Sequence, residues 1–155
     1  MKKLLVSLSL LLCFAITSCN SGPDKPPIEF DPTYLNQQIK LIAIKEMSAF
    51  QTKYPVGVLL QSNSTNEIVF PINYNLRIFI QENGLWIEIK EKPTIRPKDP
   101  IVMSPNALYR HIVMFSPDLD DLTKTYNMRV YVFGDMTTQE STKQVAAFVD
   151  FVLTP

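Results

Sequence analysis

The sequence is poor in the residues that build metal, redox and phosphate sites. Its 155 residues include one histidine, two cysteines and four glycines. Zinc binding requires several converging His, Cys or carboxylate ligands, so we expect no zinc centre, and no cofactor is indicated. The glycines, at positions 22, 57, 84 and 134, form neither a phosphate-binding loop nor a G-x-S-x-G nucleophile elbow. The sequence therefore predicts a protein that is not an enzyme.

The N-terminus has the pattern of an export signal. A positively charged start precedes an apolar stretch over residues 4–16, which is shorter than the roughly 20 residues of a transmembrane helix. The stretch ends in Ile16-Thr17-Ser18-Cys19, which resembles the lipobox of bacterial lipoproteins. The resemblance implies that residues 1–18 are removed and that Cys19 carries a diacylglyceryl group, with acyl chains such as palmitate. The alternative is ordinary signal cleavage, which leaves Cys19 as a spare thiol.

A lipidated Cys19 places the protein in the bacterial cell envelope, outside the cytoplasm and anchored to a membrane. Two acyl chains hold a protein far more firmly than one, which gives only marginal binding. Cys13 lies in the removed segment, so no intramolecular disulfide is expected.

No cluster of positive charge is present to bind nucleic acid. The chain has 15 basic and 15 acidic residues, and removal of Lys2 and Lys3 with the signal leaves 13 basic against 15 acidic, a net charge of −2. This balance argues against a nucleic-acid surface and a polybasic membrane patch. Residues 19–33 are rich in proline and predict an extended tether, and residues 34–155 predict one domain.

Apolar residues in this domain alternate with a period of two, which is typical of β-strands. The strands are predicted at 39–43, 56–61, 67–70, 76–81, 85–89, 101–103, 109–115, 126–133 and 144–153. Asn83-Gly84 predicts a tight hairpin turn, because these residues tolerate positive φ. A helix over residues 32–50 competes with the first strand, although its β-branched isoleucines favour a strand. We expect an antiparallel β-sandwich of seven to nine strands.

The segment "DLTKTYNMRVYVFG" resembles the part of fibronectin type III and immunoglobulin-like domains in which a tyrosine opens a strand. The resemblance implies that Tyr126 is the tyrosine-corner residue, whose hydroxyl bonds back to the preceding loop, and that the domain is an immunoglobulin-like sandwich. The order of turns and apolar positions over most of the chain is similar to that of immunoglobulin-like domains in bacterial lipoproteins. Met128 stands where antibody-type domains have a bridging cysteine.

Few residues in the domain are candidates for chemistry. His111 lies among apolar neighbours, which favours a hydrogen-bonded structural histidine over a general base. Asp118, Asp120 and Asp121 are the best cation ligands, but the spacing lacks the glycine and glutamate of a calcium-binding EF-hand loop, which favours a solvated loop. We therefore predict no metal site.

Trp86 is the main candidate for ligand contact. It alternates with Leu85 and Ile87, so it lies on the opposite face of its strand, with Glu88. A core position is favoured, since tryptophan is usually well buried. An exposed position, beside Phe79, would indicate recognition of a sugar or a protein.

Loops are the other candidate contact surfaces. The turn from Asn63 to Asn66 and the segment from Asp135 to Lys143 are predicted to be exposed. We expect a non-catalytic domain that binds an unknown protein or glycan. The alternatives are an inhibitor of envelope proteases, acting through a rigid loop over Pro93–Pro100, and a structural subunit of an envelope complex.

Overall fold

The computed structural model describes residues 36–44 and 56–155, and these residues form β-strands without helices. The described part of the chain contains nine strands in two antiparallel sheets. In chain order the strands are β1 (Ile39–Ala43), β2 (Val56–Ser62), β3 (Glu67–Phe70), β4 (Arg77–Glu82), β5 (Leu85–Ile89), β6 (Ile101–Met103), β7 (Tyr109–Phe115), β8 (Tyr126–Thr137) and β9 (Thr142–Leu153). The predicted fold class, an all-β antiparallel sandwich of seven to nine strands, is confirmed.

The larger sheet is organised around β8. β9 pairs with β8 along its whole length, from Tyr126 opposite Leu153 to Thr137 opposite Thr142. The other edge of β8 is shared between β4 and β3, which carry β5 and β6 as outer strands. Between β3 and β4, the carbonyl of Tyr74 accepts a hydrogen bond of 3.0 Å from the backbone N–H of Phe133. The connection over residues 71–76 therefore continues the pairing of β8 where neither strand reaches it.

The smaller sheet has the strand order β1-β2-β7 and covers one face of the larger sheet. Alternate side chains of both sheets meet between them in one apolar core. Its largest fully buried members include Leu60, Ile68, Phe70, Tyr74, Met103, Phe115 and Met128. Burial of a Val, Leu, Ile, Phe or Met side chain contributes about 1.5–3 kcal/mol, so this layer is the main source of stability.

A second apolar cluster lies on the opposite face of the larger sheet. We call it the outer cluster, and its buried members are Phe79, Tyr131, Phe133 and Ala146. The ring of Tyr131 stacks on that of Phe133 with centroids 6.1 Å apart and meets Phe79 edge-on at 5.8 Å. The middle of β8 is thus buried on both faces, which accounts for its nearly continuous apolar run.

The turn between β4 and β5 has the geometry that its sequence predicts. Glu82 pairs with Leu85, which leaves Asn83 and Gly84 as a two-residue loop. Their φ angles are 51° and 80°, and two positive φ values match a type I′ turn. The predicted reversal at Asn83-Gly84 is confirmed.

The competition between helix and strand in the first element is settled for residues 39–43, which form β1. Its Ile39, Leu41 and Ala43 contribute to the core, so the predicted alternation is correct and the helix is wrong for these residues. Residues 32–35 and 45–50 of the segment lie outside the described residues, as do the predicted signal, Cys19 and the tether.

The segment from Asp135 to Lys143 is exposed at most positions, as predicted, but the interpretation of the whole segment as a loop is wrong. β8 continues to Thr137 and β9 begins at Thr142, so only residues 138–141 connect them. Gly134 invites the interpretation that the strand ends, yet it lies within β8 against the ring of Phe70. Met136 continues the buried alternation beyond it, with 4% of its surface exposed.

Substitution of Gly134 by alanine is expected to destabilise the protein. A Cβ at this position would lie 2.8 Å from Cε1 of the fully buried Phe70, so the ring or the strand must shift. Overpacking of this kind costs about 1–3 kcal/mol. Urea unfolding of the full chain measures the loss.

Gly57→Ala is the matched control. A Cβ there would approach Sδ of Met114 at 3.1 Å and methyl groups of Ile112 and Ile44 at 3.3 Å, which are longer distances than the 2.8 Å at Gly134, and Sδ of Met114 belongs to a flexible side chain. We expect a smaller loss than for Gly134→Ala. Equal losses would show that the contact with Phe70 is not the constraint.

Candidate binding groove

An open groove of about 420 Å³ lies where β4, β5, β8 and β9 run side by side. Its volume falls within the range of about 300–1,000 Å³ that is typical of small-molecule sites. Polar, charged and apolar side chains line it together. The lining residues are Gln81, Trp86, Asn127, Met128, Arg129, Asp150, Phe151 and Val152.

Arg129 is the central side chain of the groove, and its guanidinium lies against two aromatic rings. The guanidinium carbon is 4.4 Å from the ring centroid of Trp86 and 4.7 Å from that of Phe148. These distances are within the range of about 6 Å for favourable cation–π contact. Both rings also pack against the outer cluster, so the stack joins the groove to the buried part of the same face.

Asp150 holds Arg129 in this position. Nε of Arg129 donates to Oδ1 of Asp150 and Nη2 donates to Oδ2, each at 2.6 Å. The two residues face each other in the β8–β9 register, so the pair spans neighbouring strands. Hydrogen bonding to Asp150 raises the pKa of Arg129, and burial opposes this effect. Only 8% of the Arg129 side chain is exposed, against 47% for Asp150.

The burial of Trp86 is intermediate between the core position and the exposed position that the sequence suggested. It is half-buried, because it packs against the outer cluster and also borders the groove. Leu85 and Ile87, on the other face of β5, are 61% and 42% exposed. Alternation along β5 does not reveal which of its two faces is covered. That depends on how far the three-stranded sheet extends over the larger sheet, of which β5 is an edge strand.

Asn63 and Asn66 lie apart from Trp86. Asn63 is exposed and borders a separate cavity of about 190 Å³, which Gln37, Lys40 and Leu108 also line. The backbone N–H of Asn66 donates to Oγ of Ser64 at 3.0 Å. Neither Asn63 nor Asn66 therefore lines the groove that Trp86 borders.

The acidic loop does not gather its carboxylates around a common point. Asp118 pairs with Lys92 at 3.3 Å, and Asp121 accepts hydrogen bonds from the backbone and hydroxyl of Thr123. These hydrogen bonds, with Lys124, lower the pKa of Asp121. Asp120 is exposed. Across residues 36–44 and 56–155, no group of three or more His, Cys, Asp or Glu side chains has an arrangement that could hold a metal ion.

Tyr126 opens β8, and its hydroxyl donates to the carbonyl of Asp121 at 2.8 Å. This is the hydrogen bond to the preceding loop that the resemblance implies. It fixes the entry of the chain into β8. Its effect is structural, because neither residue borders the groove.

His111 lies in a polar network between the sheets. Its Nε2 is 2.7 Å from the hydroxyl of Tyr74, which comes from the β3–β4 connection. Burial lowers the pKa of His111 and raises that of Tyr74. The contact agrees with the interpretation of His111 as a structural histidine.

Arg96 completes this network from the β5–β6 connection. Its Nη1 donates to the carbonyl of Met114 at 2.6 Å, its Nη2 pairs with Glu91, and its guanidinium lies 5.7 Å from the ring centroid of Tyr74. Met114 belongs to β7 and Glu91 follows β5, so Arg96 links the two sheets at this side of the sandwich. The network is a structural connection.

Sequence reasoning missed Arg129, Phe148 and Asp150. The available signal was that Arg129 shares one face of its strand with Tyr131 and Phe133, two large aromatic residues. An arginine that alternates with aromatic residues indicates a partly covered face and a partner for the charge. The identity of the partner depends on the β8–β9 register, which Gly134 obscured.

No helix in the described segments is long and apolar enough to cross a membrane. No protein-family model matches the chain, and no curated protein matches it. A crystal structure of a protein from Archaeoglobus fulgidus is similar, with 11% sequence identity and a TM-score of 0.40 over 76% of this chain and 94% of that chain. Nothing about the function of this chain follows from that likeness.

The free energy of unfolding is expected to fall as the pH decreases below about 6.5. Burial lowers the pKa of His111 in the folded protein, whereas the unfolded chain keeps a value near 6.5. Between these two values the unfolded state binds more protons, so acidification favours unfolding by at most about 1.4 kcal/mol per pH unit. Urea unfolding between pH 7.5 and 5.5 measures the slope.

The control for this prediction is His111→Gln. Because His111 is the single histidine of the chain, its replacement should flatten the dependence in this pH range while glutamine retains hydrogen-bonding capacity toward Tyr74. A slope that persists in the variant would assign the titration to another group.

Proposed function

We propose that the chain is a lipoprotein of the bacterial cell envelope, in which an immunoglobulin-like β-sandwich binds a ligand, without catalysis, in the groove beside Trp86. Residues 1–18 serve as the signal, Cys19 carries the lipid, and residues 20–33 separate the anchor from the domain. The partners are a membrane, through the lipid, and an extracytoplasmic ligand.

The groove is the observation that carries this proposal. Trp86 borders the groove and offers aromatic surface, and Trp is enriched among the residues that dominate binding energies. Arg129 is held by contacts with the rings of Trp86 and Phe148 and by two hydrogen bonds to Asp150. A site fixed in this way loses little conformational entropy when a ligand binds.

The anchor and the immunoglobulin-like assignment have separate support. The tetrapeptide ending at Cys19 and the apolar stretch before it match a lipoprotein signal. The two antiparallel sheets and the hydrogen bond of Tyr126 to Asp121 are features that immunoglobulin-like sandwiches share. Such domains commonly serve as binding modules, although fold alone does not determine function.

Site-specific crosslinking in native membranes tests the binding surface. A photo-reactive residue at position 152, which lines the groove and is 52% exposed, should capture the ligand. The same residue at position 112, 51% exposed on the smaller sheet, should not. Trp86→Ala should abolish capture at 152, and adducts are identified by mass spectrometry and sugar analysis. Equal capture at both positions, or no effect of Trp86→Ala, would reject the groove as the site.

Cys19→Ala, made in the same strain, tests the anchor independently. Wild type should fractionate with membranes and show the mass of an acylated N-terminal cysteine, whereas the variant should be released. A variant that is cleaved yet stays membrane-bound would reject the lipid anchor and leave the groove proposal standing.

The β5–β6 connection favours a second candidate function, inhibition of an envelope protease. Ile95 is 94% exposed, and its neighbour Arg96 is fixed to Glu91 and to the carbonyl of Met114. The N–H of Lys92 also bonds to the carbonyl of Ser116 at 2.8 Å. An exposed apolar side chain on a braced loop is pre-organised to enter an apolar protease pocket.

Inhibition assays test this second function. If it holds, the full chain should inhibit chymotrypsin or elastase, which accept apolar residues, and Ile95→Asp should raise the inhibition constant at least 100-fold. Ile72→Asp, at an exposed isoleucine of the β3–β4 connection, is the matched control. Absence of inhibition at micromolar concentration, or equal effects of the two variants, would dismiss it.

A further inference from the structure

The charges in the groove cancel each other. Arg129 directs Nε and Nη2 to the two carboxylate oxygens of Asp150, and no other residue that lines the groove is charged. A phosphate or carboxylate ligand finds no uncompensated cation there, and a cationic ligand finds no uncompensated anion. The chemistry therefore favours a neutral ligand.

The remaining lining is rich in neutral hydrogen-bonding groups. Nδ2 of Asn127 lies 3.5 Å from Oε1 of Gln81, a long contact that leaves most of the hydrogen-bonding capacity of both amides for a ligand. The outer lone pairs of Asp150, whose side chain is 47% exposed, add acceptors. A ligand with several hydroxyl groups satisfies this mixture of donors and acceptors.

Trp86 gives the groove an apolar surface, so a ligand that fits the groove must itself present apolar groups to the indole ring. It is half-buried and borders the groove next to the two amides. A pyranose ring presents C–H groups on its faces and hydroxyl groups around its edge, so it can contact indole and amides at once. The groove is open to solvent, which suits one or a few units of a longer chain.

We propose that the groove binds a neutral glycan, with a pyranose unit against Trp86 and its hydroxyl groups on Gln81, Asn127 and Asp150. This rests on the proposed function, because it specifies the ligand of the same site.

Trp86 is the single tryptophan of the chain, so its fluorescence reports directly on the groove. The full-length lipoprotein in detergent is titrated with neutral hexasaccharides of glucose, mannose and N-acetylglucosamine, and with the anionic hexagalacturonate. At least one neutral hexasaccharide should change the emission in a saturable way, and hexagalacturonate should not. Equal or tighter binding of hexagalacturonate would overturn the charge argument.

Two double variants with the same residue types give a matched comparison. Gln81→Ala with Asn127→Ala removes the amides of the groove and should weaken neutral glycan binding at least tenfold. Gln37→Ala with Asn63→Ala removes the same groups from the separate cavity and should leave binding unchanged. Equal effects of the two double variants would contradict the assignment.

Asp150→Asn tests the compensation of charge. Loss of the carboxylate leaves the Arg129 guanidinium uncompensated, so the variant should gain binding of hexagalacturonate. Circular dichroism verifies its fold, and the amide double variants test the site independently of this change. A folded Asp150→Asn that still rejects hexagalacturonate would contradict the charge argument.

The experiments distinguish failure of the glycan proposal from failure of the proposed binding function. If no neutral hexasaccharide binds while crosslinking at position 152 captures a protein in a Trp86-dependent way, the glycan proposal is wrong and the binding function stands. If neither is observed, both are wrong.

Discussion

The register of the β8–β9 ladder is the constraint on which the rest of the structure depends. It places Val130 opposite Val149 on the core side and Tyr131 opposite Phe148 on the other side. Because side chains alternate between faces, a slip of β9 by one residue would move each of its side chains to the wrong face. The same register brings Arg129 opposite Asp150, so core, outer cluster and groove are consequences of one pairing.

Much of the fold follows from local patterns in the sequence. Strands with alternating apolar residues, such as β1 and β7, and the Asn83-Gly84 turn are predictable because the signal lies in neighbouring residues. The continuation of β8 through Gly134 is not, because its reason is the ring of Phe70, 64 positions earlier in the chain. A glycine that makes room for a distant side chain looks, in sequence, like one that ends a strand.

The candidate site is harder to predict than the fold, for the same reason. Trp86 stands out in the sequence as the single tryptophan. The groove, however, forms only because strand pairing in the larger sheet places β4, β5, β8 and β9 side by side. Asn63 and Asn66 have the residue types of a contact surface and lie elsewhere. Residue type suggested candidates, and long-range pairing decided which of them share a site.

The Arg129–Asp150 pair is better understood as a positioning element than as a source of stability. A partly exposed ion pair contributes little net free energy, since desolvation and lost side-chain entropy offset the attraction. Its geometry has a clearer effect. Two hydrogen bonds fix the orientation of the guanidinium, whose carbon lies 4.4 Å from the ring centroid of Trp86 and 4.7 Å from that of Phe148. The pair therefore helps to set the shape of the groove while cancelling its own charge, and the rest of the groove lining consists of neutral aromatic, aliphatic and amide side chains.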